Sequence, residues 1–361
     1  MSDTIGHTRP RECALAGGPC AAQGDPVLTG ALRTLSGTAV GARHAEAGGV
    51  NQDAAVVRLV LGRPDVVVAT VADGHGYPQH WRSDVGSRLG ATMLAAELER
   101  IVDDAHGTSA AALEAQMSAS VGGALVRAWR EECGRHLREH PMVSADYTGM
   151  AAVLSAEELQ HATLLPLLLY GSTALGFCLS SEWLLAGGVG DGEVVHVDQS
   201  GTAACTLPQA GPQFGNMTSS LCENDPTADW RAAVLPRTPG DAGPVLVLAA
   251  TDGFTAAFAA PGALAAAAER LTGVLVTRGH EALERELWAS IGEAQRCVGD
   301  DVTVVLAYDE AGVERLRSLR CPEARTAPVT WAAGSPVELT VPDSSICAPD
   351  PPLPRFPDGG R

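Results

Sequence analysis

Aspartates stand at five places at the ends of apolar runs. Asp53 precedes one in Asn51-Gln52-Asp53-Ala54, and Asp73 follows one in Ala72-Asp73-Gly74-His75-Gly76. Asp191 lies between two in Gly190-Asp191-Gly192, Asp252 closes one in Thr251-Asp252-Gly253-Phe254, and Asp300 and Asp301 directly precede the last. If those runs are buried strands, their ends are rigid and adjacent across a sheet, so the carboxylates can converge on one point. The neighbouring glycines let backbone carbonyls approach the same point. Carboxylates crowded without basic neighbours repel one another unless a cation neutralises them, and an all-oxygen set suits Mg2+ or Mn2+. One Asp-Gly alone is ordinarily a turn; five at strand ends make a pattern.

The composition removes competing chemistries. The formal charge of −18 over 361 residues argues against nucleic acid or an anionic membrane as partner, since both need a basic surface. All 25 basic residues are Arg, so a phosphate-loop lysine, a Schiff base and a kinase ATP-pairing lysine are absent. No Cys is followed six positions later by Arg and no Gly-x-Ser-x-Gly elbow occurs, which excludes the thiol-phosphatase loop and the serine-hydrolase elbow. The nine cysteines are widely spaced with no C-x-x-C pair, which predicts reduced thiols in a cytoplasmic protein. His136 and His140 have helical spacing, but Arg135, Arg138 and Glu139 around them predict a solvated face. The uncharged stretch from Ala162 to Ser181 is interrupted by Pro166, Gly171 and Gly176, so it reads as a loop and a buried strand rather than a membrane span.

The elements that must hold the aspartates follow from periodicity. Ala54–Leu61 and Val66–Ala72 read as a hairpin of buried strands, and Arg82–Asp104 with Ala110–Arg138 as a helical hairpin. Strands are expected at Ala174–Leu179, Trp183–Val189, Glu193–Val197 and Val245–Ala250. Helices follow near Gly262–Thr277 and His280–Val298, and a last strand at Val302–Tyr308. Grouped strands and paired helices predict an α+β layered domain rather than βαβ units. Residues 1–35 read as a flexible lead-in, 36–309 as the catalytic domain and 310–361 as a Pro-rich tail.

The succession Gly41…His44…Asn51-Gln52-Asp53-Ala54, Val71-Ala72-Asp73-Gly74-His75-Gly76, Gly171-Ser172-Thr173-Ala174, Gly188-Val189-Gly190-Asp191-Gly192, Ala250-Thr251-Asp252-Gly253-Phe254 and Asp300-Asp301-Val302-Thr303-Val304-Val305 resembles the metal-dependent 2C-type serine/threonine protein phosphatases. The form with His44 shortly before Asn-Gln-Asp is closest to a bacterial subgroup. The resemblance implies a central sandwich of two antiparallel β-sheets flanked by helical pairs, with two or three Mn2+ or Mg2+ ions at one end. It implies that Asp73 bridges two ions, that the Gly74 carbonyl binds one of them and that Asp252 and Asp300 complete the first shell. Asp53 would help the second ion through water, and Asp191 matches the aspartate near a weaker third one. The reaction implied is hydrolysis of a phosphomonoester by a water that two cations acidify. The partners implied are a phosphorylated protein and a serine/threonine kinase of the same pathway.

Three departures from that pattern bear on function. Gln52 stands where the family usually has an acid, Gly48 stands where a phosphate-gripping Arg is usual, and Gly192-Glu193 replaces Ser-Arg. Arg43 and His44 are the substitutes expected to bind phosphate, and His44 and His75 are the candidate proton donors. The competing reading is a catalytically weak or inactive phosphatase-like binding module. A period of two from Asp300 onward points Asp301 away from the site, which predicts it to be the most tolerant of the aspartates.

Overall fold

A computed structural model of the chain describes residues 32–46, 48–60, 62–105, 107–208, 219–237, 243–257 and 262–320. In chain order the elements are β1 (Leu32–Ala39), α1 (Ala42–Glu46), β2 (Ala54–Leu59), β3 (Val67–Ala72), α2 (Ser83–Asp104), α3 (Ala110–Gln116), α4 (Gly122–Glu139), α5 (Ser144–Ala151) and α6 (Ala156–Leu164). Then come β4 (Ala174–Leu179), β5 (Trp183–Val189), β6 (Glu193–Val197), β7 (Ala203–Cys205), β8 (Arg231–Pro236), β9 (Leu246–Ala250) and α7 (Asp252–Thr255). The remainder is α8 (Ala263–Arg278), α9 (His280–Val298), β10 (Val302–Asp309) and α10 (Glu310–Arg320).

Two five-stranded sheets carry the molecule, with strand orders β1-β10-β9-β6-β7 and β2-β3-β4-β5-β8, and every pairing is antiparallel. The expected α+β sandwich is observed. Alternation sorts each buried strand between two cores: Val67, Ala69 and Val71 of β3 meet Leu175, Phe177, Val247 and Val305 between the sheets, while Val68 and Ala72 face α2 and α4 with Leu94, Leu98 and Trp129. On the other side α8 and α9 cover the second sheet through Leu271, Leu275, Leu287 and Ile291. A strand buried on both faces reads as an unbroken apolar run, which is why the ends of β3, β9 and β10 are sharp in the sequence.

Several boundaries differ from the sequence reading. β1 begins at Leu32, inside the segment read as lead-in, and pairs along its length with β10. The single helix expected over Ala110–Arg138 is α3 and α4 joined through a π turn at Met117–Val121, where the Met117 carbonyl accepts the Trp230 indole N–H at 2.9 Å. The stretch 162–181 holds the end of α6, a 3-10 turn at Pro166–Tyr170 and β4, and no helix among the described residues is long and apolar enough to cross a membrane. Residues 310–320, placed in the tail, form α10; the prolines beyond lie outside the described residues. Cys133, Cys178, Cys205 and Cys222 are free, whereas Cys297 is disulfide-bonded, against the expectation of reduced thiols throughout.

Candidate metal centre

Strand register brings the aspartates to one end of the sandwich. Ala54 pairs with Ala72, so Asp53 and Asp73 face each other one residue beyond. Ala250 pairs with both Val304 and Glu193, which sets Asp252 beside the approach to β10 and the turn holding Asp191. The chain reaches Asp300 through Gly299, which ends α9 in the left-handed conformation at φ 76°. Two backbone crossings also demand glycine. A Cβ on Gly74 would stand 2.5 Å from the Gln52 carbonyl oxygen and 2.8 Å from that of Ser83, and one on Gly253 would meet the Asp301 carbonyl oxygen at 1.9 Å.

The cluster is electrostatically strained. Burial, then repulsion from Asp252, Asp53 and Asp300, holds the Asp73 carboxyl well above its ordinary value. Asp53 is raised as well, chiefly by burial and by Asp301, with hydrogen bonds from Thr251 and Thr303 opposing. Asp252 is pushed from 3.8 to about 6, first by burial and then by Asp191 and Asp300, and a carboxyl–carboxyl hydrogen bond from Asp73 works against the shift. The charges acting on Asp73 are all carboxylates, an arrangement that a cation would relieve.

Whether the residues suit such a cation is tested by their unused acceptors. Asp53 Oδ1, Asp252 Oδ1 and Gln52 Oε1 are buried oxygens without a hydrogen-bond partner, and a buried unpaired acceptor costs about 1–3 kcal/mol. Their donor chemistry is all oxygen, as a hard divalent ion requires. Among the described residues no three His, Cys, Asp or Glu side chains are already closed around one point, so the carboxylates are gathered but stand apart.

Residues 40–288 match the model of the protein phosphatase 2C family. The chain belongs to the protein phosphatase 2C family. No curated protein matches it. Solved structures similar to this 2C-type chain include serine-threonine phosphatase 2C from Toxoplasma gondii, at 14% identity over 83% of this chain and 100% of that one with a TM-score of 0.48. The Mycobacterium tuberculosis serine/threonine phosphatase PstP/Ppp is 15% identical over 77% of this chain and 99% of its own, with a TM-score of 0.46. PppA, a key regulatory component of T6SS in Pseudomonas aeruginosa, is 15% identical over 78% and 99%, with a TM-score of 0.43. The family assignment rests on the sequence match.

Of the site residues read from the sequence, Asp53, Asp73, Gly74, Asp191, Asp252 and Asp300 lie at this end of the 2C-type sandwich. Arg43 and His44 sit on α1 and diverge. Arg43 is exposed and its Nη2 donates to the Val298 carbonyl at 2.8 Å, at the negative end of α9. His44 Nδ1 is buried 3.0 Å from Asp301 Oδ1, in ion-pair reach although its N–H is not aimed along that line. That contact, opposed by burial and helped by Asp300 and Asp53, raises the His44 pKa above 6.5. His75 behaves oppositely: burial and His80 lower it to about 3, which favours its neutral form.

Asp301 corrects its expected tolerance. Only 3% exposed, it accepts the Gly41 N–H on Oδ1 at 2.7 Å and the Gln52 N–H on Oδ2 at 2.6 Å. The period of two fails because the chain is not yet in β10 at that residue. Thr251, Thr303, Thr38 and Asn51 were not singled out in the sequence, yet they join the two sheets above the core. Thr251 Oγ1 donates to Asp53 Oδ2 at 2.8 Å and accepts the Thr303 N–H. Thr303 and Thr38 are hydroxyl-bonded, and Asn51 Nδ2 donates to Thr38. The local signal was slight: Thr251 directly before Asp252 and Thr303 two residues after Asp301. Arg231 of β8 is likewise new: its Nη2 donates to the Gly190 and Gly192 carbonyls and so braces the Asp191 turn, where Gly190 has φ 114°.

Proposed function

We propose that this chain is a metal-dependent protein serine/threonine phosphatase that hydrolyses phosphomonoesters with Mn2+ or Mg2+. The observation that supports it most is the group of buried carboxylates at one end of the sandwich, with the unpaired oxygens of Asp53 and Asp252 beside them. Asp73, the Gly74 carbonyl, Asp252 and Asp300 would hold the ions directly, Asp53 through water, and Asp191 a weaker third. When bound, two such cations acidify a water and offset charge on the phosphoryl group. The protein's own part is to fix positions: Thr251 and Thr303 hold Asp53, Thr173 Oγ1 accepts the Asp73 N–H at 2.9 Å, and Arg231 steadies the turn of Asp191. Water held by the ions would be the nucleophile, with no covalent phosphoenzyme on the path. The substrate class is a phosphorylated protein, which places the chain opposite a serine/threonine kinase in a cytoplasmic signalling pathway, without nucleic acid or membrane.

A second reading, a catalytically weak regulatory module, is favoured by one observation: Arg43, the nearest substitute for a phosphate-gripping arginine, donates to the Val298 carbonyl. Hydrolysis of phosphoserine and phosphothreonine peptides with Mn2+, and again in excess EDTA, separates the two. Turnover that survives EDTA overturns the metal mechanism; Mn2+ binding by calorimetry without turnover replaces the enzyme with the module.

A further inference from the structure

The loop from Gly74 to Trp81 leads from Asp73 toward α2, and two of its aromatic side chains lie on the helices that precede β4. Tyr77 Oη donates to Glu158 Oε1 of α6 at 2.7 Å. The Trp81 ring lies on the backbone of α5, where a Cβ on Gly149 would meet its Cη2 at 2.7 Å, and its indole N–H reaches Asp146 Oδ1 at 3.4 Å. Arg82 Nη1 donates to the His140 carbonyl at 2.6 Å, which fastens the turn before α5 to the end of the same loop. Between α4, α5, α6 and the 3-10 turn is a cleft of about 320 Å³, walled mainly by Leu137, Met142, Tyr147, Met150, Pro166 and Leu169. Nine large apolar side chains are exposed among the described residues, and seven of them belong to α5, α6, the residues next to these helices or the Tyr77–Trp81 loop. Leu164 is 69% exposed, Val153 58% and Val143 55%, whereas the outward face of α4 carries Arg135 paired with Glu132 and Glu139.

Scattered exposed apolar residues are ordinary, but a cluster of them rimmed by polar groups marks an interaction surface, and Tyr and Trp are its usual anchors. The charge around this one has a single sign. Residues 143–165 contain Asp146, Glu157 and Glu158 and no Arg, so the surface attracts cationic side chains and repels acidic ones. An isologous pairing of two copies would set these carboxylates against one another. We propose that the cleft and the apolar residues around α5 and α6 dock a stretch of the phosphoprotein substrate, remote from its phosphorylated residue, in which apolar side chains are flanked by Arg or Lys. The apolar side chains enter the cleft and the cations meet Asp146, Glu157 and Glu158. Asp73 and Trp81 are separated by at most about 28 Å of chain, so a peptide with its phosphate at the carboxylate cluster reaches α5 within about eight extended residues. The substrate assignment rests on the phosphatase reading; the docking itself needs neither metal nor turnover.

The test uses phosphothreonine peptides that carry Arg-Phe-Leu-Arg about eight residues before or after the phosphate across a Gly-Ser spacer. The controls carry Arg-Ser-Ser-Arg or Glu-Phe-Leu-Glu at the same places. With Mn2+, wild type is expected to prefer an Arg-Phe-Leu-Arg peptide over both controls by about tenfold in kcat/KM, through KM rather than kcat. Leu164→Glu and Tyr147→Ser should each cut the preference over Arg-Ser-Ser-Arg by about threefold or more, read as a ratio between peptides within one variant. Glu157→Arg should cut the preference over Glu-Phe-Leu-Glu. A wild-type ratio near one for both placements, or ratios that all three variants leave intact, overturns the proposal. Calorimetric titration of unphosphorylated Arg-Phe-Leu-Arg peptide into the protein in EDTA should show binding that Leu164→Glu weakens, and its absence overturns the docking. Self-association in sedimentation that Leu164→Glu abolishes gives the surface to a second copy and overturns it as well. Wild-type protein that binds the peptide in EDTA but hydrolyses none of the phosphopeptides with Mn2+ overturns the phosphatase reading and leaves the docking surface standing.

Discussion

Replacing Asp252 by Asn should make the metal-free protein more stable, although it removes a residue of the proposed metal centre. The Asp252 carboxyl is held at about 6 rather than 3.8 by burial and by the neighbouring Asp191 and Asp300 charges. A carboxyl raised in the folded state binds more protons there than in the unfolded chain, so wild-type stability falls as pH rises from the ordinary value through the raised one. At about 1.4 kcal/mol for each tenfold change in proton affinity, the penalty amounts to about 3 kcal/mol above pH 7 and shrinks to about 0.5 kcal/mol near pH 4. Asn fills the same volume, carries no charge, and can donate to Asp73 where a proton was previously shared. Urea unfolding in EDTA, followed by circular dichroism at about pH 8 and about pH 4, should therefore show Asp252→Asn exceeding wild type at the higher pH and matching it at the lower. Addition of Mn2+ should reverse the order at pH 8, since only wild type gains a ligand charge. An Asp252→Asn protein no more stable than wild type at pH 8 without metal would refute the claim that these carboxylates repel one another in the folded state.

Other consequences are equally concrete. Mn2+ at a hundredfold excess over Kd should add about 2.7 kcal/mol to wild-type stability and far less to Asp73→Asn, read as a rise in Tm at neutral pH; identical shifts for both proteins would remove Asp73 from the metal set. Gly74→Ala must push a Cβ against the Gln52 and Ser83 carbonyl oxygens, so Mn2+ affinity should drop by about tenfold or more with little change in far-ultraviolet circular dichroism, and an unaltered titration would show that the Gly74 backbone is not held to this position. Phe177→Ala opens the layer between the sheets, where Phe177 is fully buried, and should cost about 3–5 kcal/mol in urea unfolding; a cost under about 1 kcal/mol would mean that the two sheets collapse onto the gap.

The aspartates could be found in the sequence because each is a local signal. Val67–Ala72, Leu246–Ala250 and Val302–Asp309 are buried on both faces, so their apolar runs end abruptly where the chain leaves the sheet. β1 left no such mark. Arg33, Ser36 and Thr38 alternate with its apolar residues and the strand follows a Gly- and Pro-rich stretch, and its stability comes from pairing with β10. α5 and α6 are short and partly exposed, so packing hardly constrains their residue types and neither was read from the sequence; the Ser155 and Glu158 capping box that starts α6 is seen in the structure.

The roles of the two candidate histidines were closed to the sequence for a deeper reason. His44 and His75 are both histidines near glycine in neighbouring motifs, and no local pattern separates them. What separates them is a carboxylate that enters from the far end of the domain: Asp301 is bonded to Gly41 across 260 residues of chain, and it lies beside His44 and not beside His75. His75 meets the buried His80 instead and loses its proton affinity. Metal ligands at strand ends need only the local geometry of a strand, whereas an imidazole of raised proton affinity needs a partner, and the partner's address depends on which strands are neighbours. Sheet order, with β10 beside β1 and the segment after β1 crossing to the other sheet, is therefore what separates two equivalent histidines into one whose proton affinity is raised and one whose proton affinity is lowered.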